Sequence, residues 1–402
     1  MVSMVEPKYV GRGIKRVEDR RLLTGCGMFN DDLKLSNPLY AALLRSPYAH
    51  ALIKNIDVSR LRKNPRVKAI LTGWDVVQRI KPWPHLIKAP PYYGIAVDKT
   101  RYVGEPVVAI AAESRYDAED ALEQIEVEYE PLKPVTSIEE ALNPSSPTIH
   151  GGFEGNIAWS REYTYGAVEQ AFTRADLVVR ERFYFHRFAS TPLEPTSIAA
   201  EYNKATGELT LYDQNQQAPM YHARYARVLG IPASKIRIVT RDIGGGFGNK
   251  IPAYSYTVLI ALLAMESGRA VKWMADRRED LMALMHSPDR VTEAEMAVTR
   301  EGKVLGMRLR LYDNFGAYLR HPEPQNVTRA FPSLTGCYAI EAVEVAAYGV
   351  FTNTCPTGPN RGYGQQHASF VLERMMDIVA GRLGLDKAEI RFRNFIKPEQ
   401  MP

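Results

Sequence analysis

Three consecutive glycines, Gly244-Gly245-Gly246, followed by Phe247-Gly248-Asn249-Lys250, constrain this 402-residue chain more than any other stretch. They follow a strand-like run, Lys235-Ile236-Arg237-Ile238-Val239-Thr240, and precede an apolar segment over residues 255–266 that is long enough for a buried helix. A turn without Cβ atoms takes positive φ freely and lets a ligand approach main-chain N–H groups, while Phe247 places one bulky ring at the same point. Pro252 suits the first turn of the following helix and Gly268 its C-terminal cap, so the positive end of the helix dipole adds to a site for an anion or an oxo group.

Two nucleotide-binding readings fail on spacing. The dinucleotide fingerprint G-x-G-x-x-G requires glycine where Asn249 stands, and the phosphate loop G-x-x-x-x-G-K-[ST] has Lys250 but then Ile251. A plain structural turn is the competing reading, because turns are what glycine most often serves.

The charged residues exclude other classes. A net charge of +5, with Asp and Glu nearly as numerous as Lys and Arg, gives no nucleic-acid footprint. Cys26, Cys337 and Cys355 are too scattered for a disulfide framework or a cysteine-ligated cluster, which points to a reducing compartment. The N-terminus lacks an apolar core segment, and no apolar run approaches the roughly 20 residues of a membrane helix. A cytoplasmic protein with no membrane partner is expected. Eight histidines without H-x-x-x-H or H-E-x-x-H spacing argue against a metal held by protein ligands.

Along the chain, residues 39–44, 67–71 and 104–112 read as strands or turns entering strands, and Ala118, Ala121, Leu122 and Ile125 fall at helical spacing before an exposed strand at 126–130. These make one α+β domain. Prolines and serines over residues 131–147 mark a boundary, giving domains 1–135 and 136–402. Beyond it, residues 175–185 and 197–202 read as strands, with 209–212 returning as a hairpin partner.

Three stretches join turn residues to polar side chains after strand-like runs: Thr191-Pro192-Leu193-Glu194-Pro195, Asn215-Gln216-Gln217-Ala218-Pro219, and residues 353–364 with Asn360-Arg361-Gly362-Tyr363-Gly364. Loops at sheet ends commonly carry ligands. A Gln amide both donates and accepts, and Arg361 offers a planar fork of donors.

In this order, these stretches resemble the molybdenum hydroxylase family of xanthine dehydrogenases, aldehyde oxidoreductases and aerobic carbon monoxide dehydrogenases. The resemblance also covers Gly25-x-Gly27-x-Phe29, Arg45-Ser46-Pro47-Tyr48-Ala49-His50-Ala51, Val103-Gly104-Glu105-Pro106-Val107, Trp273-x-x-Asp276-Arg277 and Arg393-Asn394-Phe395. It implies an α+β fold, with an α/β-hammerhead domain followed by the first half of a molybdopterin-binding domain. It also implies that Gly245, Gly246, Phe247 and Gly248 contact the pterin and the oxo face of molybdenum. Gln217 would approach an apical ligand, with Gln216 the alternative one residue earlier, and Arg361 with Gly362 would lie beside the metal. Molybdenum would be held by the cofactor's own sulfurs, in the cytosine dinucleotide form usual in prokaryotes.

The activity implied is hydroxylation of an aldehyde or an N-heteroaromatic carbon with water as oxygen source. Electrons would leave to an iron–sulfur small subunit and an FAD-carrying medium subunit. Two departures narrow the substrate. Carbon monoxide dehydrogenases carry Cys where this chain has Gly362, and purine enzymes carry Glu where it has Ile251. The chain also stops half-way through the family's catalytic subunit, short of the Glu that acts as general base. The expectation is therefore a large subunit that is either split over two chains, the reading preferred here, or cut short, and that is inactive without the part carrying this Glu. Glu194 is the best carboxylate at hand, with a structural role between its prolines. The alternative is a non-catalytic cofactor-binding or assembly protein of the same fold. Residues 370–379 read as part of a final helix whose apolar positions nearly encircle it, as for a wholly buried element.

Overall fold

The computed structural model describes residues 8–251 and 255–401, so the expectation for Pro252 lies outside the described residues. The strands are β1 Leu39–Arg45, β2 Ala51–Asp57, β3 Val67–Thr72, β4 Lys99–Thr100, β5 Pro106–Ala112, β6 Glu126–Pro131, β7 Ile157–Tyr165, β8 Leu177–Phe185, β9 Ser197–Asn203, β10 Glu208–Asp213, β11 Ile236–Val239, β12 Val271–Met274, β13 Arg290–Val298, β14 Val304–Gly316 and β15 Val343–Phe351. They form a seven-stranded sheet in the order β11-β10-β9-β12-β1-β5-β3, a five-stranded sheet β7-β15-β14-β13-β8 and a small sheet β4-β2-β6.

Strand β5 shows why the large sheet is a core element. All seven of its residues are buried, and its side chains alternate between two clusters. Ala109 and Ala111 join the cluster around the helix Ser255–Ser267, while Val108, Ile110 and Ala112 pack with Leu61, Ala118 and Ala121 on the other face. The helix Ser255–Ser267 is buried from Ser255 through Ala264 and has no polar face, the pattern of an element enclosed by protein. It ends where Gly268 takes φ +68° and donates its N–H to the Ala264 carbonyl at 3.0 Å. None of the described helices is long and apolar enough to cross a membrane.

The large sheet runs across residue 135. Strands β1, β3 and β5 share it with β9 to β12, joined where β1 runs parallel to β12 with Leu39 opposite Val271. Parallel pairing needs a crossover, and here the crossover is most of the chain.

The five-stranded sheet packs against the helix Gln365–Leu383. This helix corrects the expectation of an all-round apolar surface. Its buried residues Val371, Leu372, Met375, Met376, Val379 and Ala380 recur at helical spacing on one stripe, whereas Phe370 is exposed and Ile378 half-buried. The helix is an amphipathic cover for the sheet, and the two flanking apolar residues widen its stripe without enclosing it.

Beneath that helix's N-terminal loop lies a buried polar network. Arg290 forks onto Asp313 and donates to the Asn326 carbonyl at 3.1 Å, while the Asn326 N–H donates to Glu323 Oε2 at 3.2 Å. The other carboxyl oxygen of Glu323 has no hydrogen-bond partner. Burial pushes the Glu323 carboxyl up to about 8; the Asn326 N–H and Arg290 work against the shift and Asp313 adds to it.

Two expectations follow from these cores. Leu259→Ala should cost about 2–5 kcal/mol of unfolding free energy, read from denaturant midpoints, because it opens a cavity inside the enclosed helix. Between pH about 4 and about 8 the folded chain keeps a Glu323 proton that the unfolded chain has released, so stability falls as pH rises across that window. Glu323→Gln should remove this slope in unfolding curves recorded at successive pH values. Parallel pH profiles for the two proteins would contradict it.

Candidate functional site

The three polar loops after β8, β10 and β15 converge on the glycine-rich loop that follows β11. Glu194 is the residue that shapes that loop. Its Oε2 accepts from the Gly244 N–H at 2.6 Å and from Lys250 Nζ at 3.0 Å, and its own N–H donates to the Gly244 carbonyl at 3.1 Å. Both ends of the loop are thus tied to one carboxylate. Lys250 is only 1% exposed, and burial lowers its ammonium below the usual lysine range against the pull of Glu194. The role is structural.

Phe247 sits at the loop's tip with φ +53°, an uncommon left-handed conformation for a bulky residue, and Gly245 and Gly248 flank it at φ +94°. The Phe247 carbonyl fixes this geometry by accepting from the Arg361 N–H at 2.9 Å and from Ser190 Oγ at 3.3 Å. A Cβ on Gly248 would lie 2.6 Å from the Pro359 carbonyl, so only glycine lets the two loops meet.

Of the two glutamines, Gln216 reaches the loop. Its N–H donates to the Lys250 carbonyl at 2.8 Å, its Oε1 accepts from the Gly248 N–H at 3.3 Å, and a side chain at Gly246 would collide with its amide. Gln217 instead precedes the helix Ala218–Leu229, with its N–H held by Asn215 Oδ1 at 2.7 Å. The turn imposed by Asn215 sends the two side chains different ways.

Gln216, Phe247, Arg329, Arg361, Gly362 and Tyr363 line an open cavity of about 450 Å³. Arg329 and Tyr363 have no counterpart in the sequence reading of the site. Arg329 belongs to no motif, and Tyr363 lies inside the stretch 353–364 without having been given a role. The structure joins them: the Arg329 guanidinium lies 5.7 Å from the centre of the Tyr363 ring, and Tyr363 has φ +45°. Gly362 has φ +102°, and a Cβ there would meet the Gln366 side chain. The positive φ and that contact both keep the position to glycine.

Free donors gather on the glycine-rich loop and at the cavity beside it, and Phe247 and Arg361 line the cavity itself. Among the described residues the N–H groups of Gly245, Gly246 and Phe247 and the guanidinium of Arg361 have no hydrogen-bond partner. No carboxylate or imidazole lines the cavity. No group of three or more His, Cys, Asp or Glu is placed to hold a metal ion among the described residues. Free N–H groups and two guanidinium groups suit a ligand rich in acceptor atoms, such as an oxo group or a pterin edge, whose metal brings its own sulfur ligands.

Comparison with known proteins agrees with this geometry. Residues 149–395 match the molybdopterin cofactor-binding domain, and residues 24–133 match the a/b hammerhead domain of aldehyde oxidase and xanthine dehydrogenase. The chain is 32% identical to the 6-hydroxypseudooxynicotine dehydrogenase complex subunit gamma of Paenarthrobacter nicotinovorans, over 98% of this chain and 50% of that one. It is 30% identical to the nicotinate dehydrogenase large molybdopterin subunit of Eubacterium barkeri, over 96% of this chain and 89% of that one. The crystal structure of quinoline 2-oxidoreductase from Pseudomonas putida 86 superposes with a TM-score of 0.91 at 34% identity, covering 97% of this chain and 50% of that one. The chain spans about half the length of most of these relatives, but nearly all of the Eubacterium barkeri subunit. Hammerhead strands, a glycine loop of free N–H donors and these matches together assign the chain to the molybdenum hydroxylase family, among its large molybdopterin-binding subunits.

Proposed function

We propose that this chain is the cofactor-binding portion of a multi-subunit molybdenum hydroxylase acting in the cytoplasm on an aldehyde or an N-heteroaromatic carbon. The observation that carries the reading is the set of unpaired donors on the glycine-rich loop at Gly245, Gly246 and Phe247 and on Arg361, of which Phe247 and Arg361 line a cavity whose wall, among the described residues, holds no carboxylate or imidazole. When bound, a molybdenum–pterin cofactor, in its cytosine dinucleotide form, supplies the two-electron chemistry that lets water hydroxylate an electron-poor carbon.

The chain's residues bind and orient. The loop N–H groups and the amide of Gln216 donate to the cofactor's acceptor atoms, and the Phe247 ring shields that face from water. Arg361 and Arg329 present cations to the substrate's polar atoms, and stacking on Tyr363 holds the Arg329 fork in plane. Gly362 adds no side chain to the cavity wall, and a carbon skeleton larger than carbon monoxide is the substrate proposed for it. Relatives named for quinoline and nicotinate fit that class.

The same lining supports a partner. A hydroxylation needs a base within hydrogen-bond reach of the attacking water, and the cavity wall has none. The base would come from a companion chain carrying the rest of the large subunit, and the length of the Eubacterium barkeri relative fits such a division. Iron–sulfur and FAD subunits would take the electrons. Domains 1–135 and 136–402 are proposed as units of ancestry, joined by a shared sheet.

The purified complex should contain molybdenum and a pterin, by elemental analysis and by fluorescence of the oxidised pterin; active material without molybdenum or tungsten would refute the reading. Arg361→Ala, Phe247→Ala and Gln216→Ala should each lower turnover by about tenfold or more while changing stability by under ~1 kcal/mol, and Gln217→Ala should do neither. In a substrate panel, small aldehydes or heteroaromatics should outpace carbon monoxide. Glu194→Ala should destabilise the fold itself, by about 3–5 kcal/mol, by stranding the Lys250 ammonium.

A further inference from the structure

We propose that the N-terminal arm, residues 8–28, is a docking strap for an acidic electron-transfer protein. The arm is laid over the surface instead of being folded into a core. Val17 is 95%, Leu23 86% and Val10 78% exposed, Tyr9 and Ile14 are also exposed, and no residue of its short helix Asp19–Leu23 is buried. That much exposed apolar side chain along one segment marks an interaction surface.

The arm is nevertheless fixed. Arg21 forks onto both carboxyl oxygens of Asp242 at 2.5 and 2.7 Å, the Met28 N–H donates to the same carboxylate at 2.7 Å, and the Asp242 N–H donates back to the Met28 carbonyl at 3.2 Å. The Arg21 side chain holds the Asp242 carboxyl down to about 2, so the clamp is charged at any working pH. Asp242 is two residues ahead of Gly244 and follows directly on Arg241, whose side chain touches Met28 Sδ. A partner seated on the strap is therefore tied to the base of the loop that carries the cofactor site.

Charge selects the partner. Residues 8–24 hold Lys8, Arg12, Lys15, Arg16, Arg20 and Arg21 against only Glu18 and Asp19, in a chain whose whole net charge is +5. Asp19 is itself paired with Arg16. A basic strip set with apolar side chains fits a partner face that is acidic around an apolar centre, and opposite charge speeds the encounter. The exposed apolar residues Leu193, Met220 and Phe247 belong to other segments of the chain, Met220 to the helix Ala218–Leu229. The redox reading above, on which this inference rests, says why an electron carrier belongs on the strap. Hydroxylating a C–H bond with water breaks that bond, forms C–OH and releases two protons and two electrons, and the electrons reduce the partner's redox centre.

The test uses the native complex with the double substitution Lys15→Glu and Leu23→Asp, two exposed side chains that make no hydrogen bond or ion pair among the described residues. Native mass spectrometry and sedimentation, at about 50 and about 300 mM salt, report which subunits remain bound. The redox subunit should bind at least about tenfold more weakly, and the low-salt advantage of the wild type should shrink. Molybdenum content and the thermal midpoint should stay unchanged. The proposal is overturned if the variant holds the redox subunit with wild-type affinity, if it sheds the chain that completes the large subunit instead, or if wild-type but not variant complex binds phosphatidylserine vesicles while both keep the redox subunit. Absence of molybdenum from the complex would strike at the hydroxylase reading and leave the subunit census to judge the strap.

Discussion

One buried carboxylate sets the shape of the cofactor face. Glu194 accepts from the first N–H of the glycine loop and from the ammonium at its last residue, so a flexible run of glycines is closed like a belt. Everything at the cavity refers back to that closure. It leaves the middle N–H groups pointing away with nothing to bond, and it presents the Phe247 carbonyl to Arg361 and Ser190. An ion pair this enclosed is weak support for overall stability, since desolvating both charges offsets their attraction. Its contribution here is to specify one loop conformation, with Lys250 nearly solvent-free and the Glu194 side chain only 14% exposed.

Around that belt the chain concentrates backbone that ordinary residues avoid. Phe247 and Tyr363 take positive φ beside Gly245, Gly248, Gly362 and Gly364. Strained conformations persist only where the surroundings over-determine them, and here two loops brace each other through a single carbonyl. The outcome is a wall of donors fixed in place before any ligand arrives, which spares binding the cost of ordering it.

Much of this was legible in residue order because the signals were local. The glycine run, the strand before it, the enclosed helix after it and the polar loops at strand ends each follow from a few adjacent side chains, and the structure places them as read. What escaped depends on distance or on one residue of phase. Whether Gln216 or Gln217 meets the loop is decided by the turn at Asn215, which no periodicity reports. Arg329 lies between motifs and becomes part of the cavity only because the loop beneath it brings it over Tyr363. The helix Gln365–Leu383 looked apolar all round because Phe370 and Ile378 border a stripe whose width is set by the sheet below. The pairing of β1 with β12 leaves no trace in either strand.

That pairing bears on how the molecule comes into being. On a ribosome, β1, β5 and β3 emerge and can join at once, yet the edge of β1 meant for β12 has no mate until about 230 more residues have been made. Throughout that interval the nascent sheet ends in an open row of amides beside an apolar face, the kind of edge that recruits stray strands. The enclosed helix Ser255–Ser267 and β12 appear almost together, so the face and the edge are covered in one late step. A chain interrupted anywhere between residues 135 and 270 is thus left with an adhesive border in place of a finished hammerhead.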